Sequence, residues 1–92
     1  MATKRKAAAK AGISGFCKVL SNGIKDLQKA IRDDRKAIAD QKSFIQQLIK
    51  QGAKPAIVAQ AKDRLTMLED KLESDEAQLS AFQDEFAASC RP

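Results

Sequence analysis

The sequence contains no histidine, tryptophan or tyrosine, and phenylalanine, with four copies, is its only aromatic residue. Acid–base and nucleophilic catalysis near neutral pH mostly uses histidine, a carboxylate with a perturbed pKa, an activated cysteine or a metal ion. A cysteine–histidine nucleophile is therefore excluded, and the sequence has no glycine-rich phosphate-binding motif. We predict that the protein is not an enzyme and that it has no catalytic residues, cofactor or metal ion.

Long hydrophobic runs are also missing. No stretch approaches the roughly 20 apolar residues that a membrane-spanning helix needs. The basic N-terminal segment is interrupted by Lys10 and Gly12, whereas a secretory signal continues into an unbroken apolar region. We expect one small cytoplasmic domain of 92 residues without a membrane span.

Two apolar seams with alternating spacings of three and four residues predict two long helices. The first seam comprises Cys17, Leu20, Ile24, Leu27, Ile31, Asp34, Ile38, Gln41, Ile45 and Leu48, and the second comprises Val58, Ala61, Leu65, Leu68, Leu72, Asp75, Leu79, Phe82, Phe86 and Ser89. Between the seams, Gly52 suits a left-handed helix end and Pro55 suits a first helical turn.

The predicted fold is all-α: an antiparallel two-helix coiled-coil hairpin with a basic N-terminal tail or short helix. We expect the tail over residues 1–13 and the hairpin over residues 14–92. Helix one is predicted over about 14–51, the turn over 52–54 and helix two over about 55–89.

The two cysteines are brought together by the register of this hairpin. If Leu48 meets Val58 at the turn, the last layer places Cys17 opposite Ser89 and beside Cys90. The sequence leaves open whether a disulfide forms, because the geometry permits one while a reducing cytoplasm favours two thiols. A zinc site would need further ligands close to this pair, and Asp84 and Glu85 are the only acids nearby in the sequence.

Three seam positions are polar, namely Asp34, Gln41 and Asp75. We interpret them as residues that fix the register, and we expect the two carboxylates to form ion pairs at the seam edge rather than a catalytic pair. Arg35 and Lys71 lie close by in the predicted register. At one edge of the seam, Arg35 and Lys42 face Glu69 and Glu76 with the right charges to favour an antiparallel hairpin.

The other edge of helix one carries Phe16, Gly23, Ala30, Ala37 and Phe44, with Ile57 nearby. A hairpin of two helices has no third element to cover this row, and apolar residues outside a seam indicate a wider buried face. We therefore expect a non-enzymatic protein that acts through self-association or by docking to a protein partner. The simplest assembly is a homo-oligomer, a dimer of hairpins that forms a four-helix bundle. The interface residues would be Phe16, Ala30, Ala37, Phe44 and Ile57.

The charge distribution supports a second hypothesis. The formal net charge is +5, and the first 18 residues contain five cations and no acid. These residues are Lys4, Arg5, Lys6, Lys10 and Lys18. They could contact the phosphates of a nucleic acid, with the hairpin as a dimeric scaffold and with binding that weakens as salt is added. The lack of aromatic stacking residues among them, and the acidic second helix onto which they could fold back, argue against this alternative.

Overall fold

The chain folds into two long helices joined by a tight turn. The computed structural model describes the backbone of residues 2–90 and the side chains of residues 15–90. Helix α1 spans Ala2–Lys50 and helix α2 spans Pro55–Cys90. The two helices pack against each other as an antiparallel hairpin, in a molecule that measures 73 × 19 × 15 Å. The predicted all-α helical hairpin is confirmed.

The turn follows the local chemistry of its sequence. Gly52 adopts a φ of 73°, a left-handed conformation that glycine reaches without a steric penalty. The amide of Gly52 donates to the carbonyl of Ile49 (3.1 Å), and the amide of Ala53 donates to the carbonyl of Leu48 (2.9 Å). These two hydrogen bonds form the Schellman motif that closes α1. Pro55 begins α2, where its missing N–H costs nothing.

The core is a single layer between the helices. Its buried apolar side chains are Leu20, Ile31, Ile38 and Ile45 from α1 and Ala61 from α2. The larger seam residues of α2 are only half-buried, and no side chain among residues 15–90 is completely enclosed. Hydrophobic stabilisation grows with the apolar area removed from water, so this single layer contributes little to the free energy of folding.

The N-terminal end of α1 differs from the prediction. Helix α1 begins at Ala2, whereas the sequence predicted a helix from about residue 14 after a tail or a separate short helix. Residues 2–13 are rich in alanine and lysine, which favour helix. Gly12 costs about 1 kcal/mol relative to alanine inside a helix, which is too little to end one. At the other boundaries, α1 ends at Lys50 and α2 at Cys90, each within one residue of the prediction.

Neither helix, over the residues that the structure describes, contains a segment that is both long and apolar enough to cross a membrane.

Candidate functional site

The candidate site is the row of residues along one side of α1 together with Ile57 of α2. We call it the outer face and define it as Phe16, Ala30, Ala37, Phe44 and Ile57. Its three large side chains are about half exposed: Phe16 is 45% exposed, Phe44 48% and Ile57 46%. The two alanines between them are half-buried against the hairpin. The outer face is therefore apolar and lacks a covering layer among the described residues.

The structure brings one end of the outer face together at the turn. Phe44 and Ile57 line the same shallow groove, which also includes Leu48 and Arg64. Phe16 lies at the opposite end of α1's row, next to Cys17. The outer face thus has a large apolar side chain near each end and small residues in the middle.

Gly23 belongs to the same row in sequence but has a different role. A Cβ atom at this position would lie 2.7 Å from Cε2 of Phe82, closer than real Cβ contacts. The ring of Phe82 therefore lies directly against the backbone of α1. The sequence did not reveal this contact, although the predicted register had placed Phe82 opposite Ile24, the next residue.

A polar cluster lies in the middle of the seam. The ammonium of Lys71 donates to Oδ1 of Asp34 at 2.8 Å and to Oδ2 of Asp75 at 2.9 Å, which confirms the predicted ion pairing. Asp34 is only 6% exposed, and its Oδ2 has no hydrogen-bond partner among the described residues. Lys71 therefore joins both carboxylates, one of which is buried with an unused acceptor.

The environment separates the pKa values of the two carboxyl groups. Burial raises the pKa of Asp34, and the neighbouring Asp75 acts in the same direction against the opposing effect of Lys71. The neighbouring Asp34 carboxyl group, and then Lys71, lower the pKa of Asp75. Hydrogen bonds to Asp34 and Asp75 raise the pKa of Lys71. Lys71 and Asp75 lie one turn apart on α2, so the contact of Lys71 with Asp34 is the one that joins α2 to α1.

The other polar contacts of the seam agree with this alignment. The Gln41 side-chain amide donates to the backbone carbonyl of Ala61 at 2.9 Å. Arg35 pairs with Glu76 at 3.3 Å on the exposed edge, as the sequence predicted. The other predicted edge pairing, between Lys42 and Glu69, is not among the ion pairs of residues 15–90. Exposed pairs of this kind contribute little stability, so the missing one leaves the register unchanged.

Cys17 and Cys90 form a disulfide at the open end of the hairpin, with their Cα atoms 5.7 Å apart. Sγ of Cys17 also lies 4.0 Å from the carbonyl oxygen of Ser89, so the last layer has the predicted composition. The sequence predicted the proximity of the two cysteines and left the bond open. Because both sulfurs are in the bond, neither is a thiolate nucleophile or metal ligand in this state. Among the described side chains, no group of three or more potential metal ligands gathers.

The predicted phosphate contacts fall mostly beyond the described side chains. Lys4, Arg5, Lys6 and Lys10 lie outside the part of the chain whose side chains the structure describes, and Lys18 is exposed on α1. Nucleic-acid binding through these residues stays a prediction.

Comparison with known proteins finds no match for this chain, whether among protein-family models, curated proteins or solved structures.

Proposed function

We propose that this protein is a non-enzymatic helical hairpin that acts through self-association, with two copies packed against each other through the outer face. The observation that carries the proposal is the partial exposure of Phe16, Phe44 and Ile57 on a hairpin whose core is one layer thick. Packing the outer faces of two hairpins against each other would supply the missing layer and form a four-helix bundle.

The spacing of the outer face favours a two-fold, antiparallel pairing of α1 with α1 of the second copy. Phe16 and Phe44 are equally distant from Ala30, about 21 Å in each direction along the helix. A two-fold axis at Ala30 would therefore place Phe16 of each copy against Phe44 of the other. The small side chains of Ala30 and Ala37 would let the two helices approach closely between these aromatic contacts.

Sedimentation at micromolar to submillimolar concentration tests the proposal. The 10.0 kDa chain should sediment as a dimer of about 20 kDa, in a concentration-dependent manner. The variant with Phe16→Ser and Phe44→Ser should be monomeric. Burying the exposed half of one phenylalanine contributes about 1 kcal/mol, so four replacements per dimer weaken association on the order of a thousandfold.

Met67→Ser is the matched control, because Met67 is 70% exposed and lies away from the outer face. This control should dimerise like the original protein. Self-association is refuted if the original protein is strictly monomeric over the whole concentration range. Equal loss of dimer in the control and the double variant would show that the interface lies elsewhere.

A further inference from the structure

The turn end of the hairpin has a second apolar surface that the outer face does not include. This turn-end patch is a shallow groove lined by Ile49, Ala53, Pro55, Val58, Ala59 and Lys62. Ile49 is 56% exposed, which is high for a large aliphatic side chain. The patch shares no residue with the groove that contains Phe44 and Ile57.

The turn-end patch lies within a segment that contains only positive charges. Residues 41–62 include four lysines and neither aspartate nor glutamate. Lys42, Lys50, Lys54 and Lys62 are all exposed, and none of them takes part in an ion pair among residues 15–90. An apolar surface next to unneutralised lysines is complementary to a partner that is anionic outside and apolar beneath.

We propose that the turn-end patch is a contact site for an anionic lipid surface. Ile49 would enter the boundary between headgroups and acyl chains, while Lys50, Lys54 and Lys62 would lie among the anionic headgroups. Such contact is peripheral and needs no membrane-spanning helix.

Three features favour lipid over a nucleic acid. The exposed side chains of the patch are aliphatic, whereas proteins that bind single-stranded nucleic acid stack the bases on aromatic rings. The patch also lies at the end of a rod only 19 × 15 Å across, a shape that enters a soft surface more readily than it encloses a strand. Lysine is a compact charge on a flexible stem, which suits the diffuse charge of a headgroup layer.

Co-sedimentation with vesicles tests the charge requirement. We expect binding to phosphatidylcholine vesicles that contain phosphatidylserine and no binding to phosphatidylcholine alone. Each lysine near an anionic surface contributes about a fivefold gain in affinity, so replacing Lys50 and Lys54 by glutamine should weaken binding about thirtyfold. The matched control replaces Lys25 and Lys36 by glutamine, since both are exposed on the body of α1. An equal loss in this control would overturn the proposal, because it would indicate diffuse attraction by the whole molecule.

A tryptophan reporter tests which part of the molecule inserts. The chain contains no tryptophan, so a single substitution provides the only indole fluorophore. Ile49→Trp should shift to shorter emission wavelengths and be quenched by brominated acyl chains when anionic vesicles are added. Val19→Trp, at a position 67% exposed near the open end, should show neither change. The reverse pattern, or quenching of neither variant, would overturn the proposal. The double variant Phe16→Ser and Phe44→Ser should still bind vesicles, so failure of self-association and failure of lipid contact are distinguishable.

Discussion

Removal of the Cys17–Cys90 bond should destabilise the hairpin more than any single substitution in its seam. The bond joins residues 73 positions apart, at the end opposite to the turn. In the chain-entropy description, a closed loop of this size removes unfolded-state freedom equivalent to about 4 kcal/mol. Small domains are stable by about 5–15 kcal/mol in all, and the one-layer core of this hairpin places it at the low end.

The assay is urea unfolding followed by far-ultraviolet circular dichroism, because the chain has neither tryptophan nor tyrosine to report by fluorescence. Oxidised protein, reduced protein and the variant with Cys17→Ser and Cys90→Ser are compared at several protein concentrations, since self-association adds apparent stability. The reduced protein and the double variant should agree with each other and lie about 4 kcal/mol below the oxidised protein.

Reductant should leave the double variant unchanged, which controls for effects of the reductant itself. If the reduced chain loses its helicity altogether, the free energy of unfolding without the disulfide is below zero. The disulfide then contributes more stability than the core, in agreement with the estimate of about 4 kcal/mol. Hydrogen exchange locates the effect: amides near Leu20 and Phe86 should exchange faster after reduction, and those near Leu48 and Val58 should change least. Equal unfolding midpoints for oxidised and reduced protein would refute the reasoning.

Two further predictions follow from single contacts. Gly15→Ala should stabilise the hairpin by about 1 kcal/mol, the usual helix preference of alanine over glycine, because nothing lies within 4 Å of its new Cβ. Gly23→Ala should not gain this stability, because its new Cβ would collide with the ring of Phe82. Equal gains in the two variants, measured by thermal unfolding, would contradict the close packing of Phe82 against Gly23. Asp34→Asn should raise the unfolding free energy at pH 7, because the raised pKa of Asp34 means that its ionised form lowers stability there. This gain in unfolding free energy should vanish as the pH falls below 3.8, the ordinary pKa of the carboxyl group, because Asp34 is then protonated in both the folded and the unfolded state. A gain that persists in acid would show that burial and Lys71 do not act on Asp34 as described.

The fold was predictable from sequence because its determinants are local and repetitive. The two seams, Gly52 and Pro55 each predict one part of the hairpin, and the structure contains all of them. The start of α1 differs from the prediction, because Gly12 indicates a break in the helix while the alanines and lysines around it favour continuation. The helix preference of those residues outweighs one glycine.

The side-chain contacts were predictable only to the nearest layer. The predicted register places Lys71 near Asp34 and Asp75. The sequence does not show that the Lys71 ammonium contacts both carboxylates, because this depends on the rotamer of the lysine side chain. The contact of Phe82 with the backbone at Gly23 was missed for a related reason: a seam pattern places a ring in a layer without specifying which way it turns. For the outer face, the row of residues is visible in the sequence, and the structure adds that its phenylalanines are about half exposed.

The disulfide also decides how the hairpin responds to tension. A load applied to the segments outside Cys17 and Cys90 passes through the covalent bond, so the contacts between the helices carry none of it. In the reduced state the same load would peel the helices apart one layer at a time from the open end. The chain between the cysteines would then extend by up to roughly 250 Å, over the sequence separation of 73 residues. Oxidation therefore converts an extensible element into a short covalent link of fixed length, and the hairpin itself carries no load.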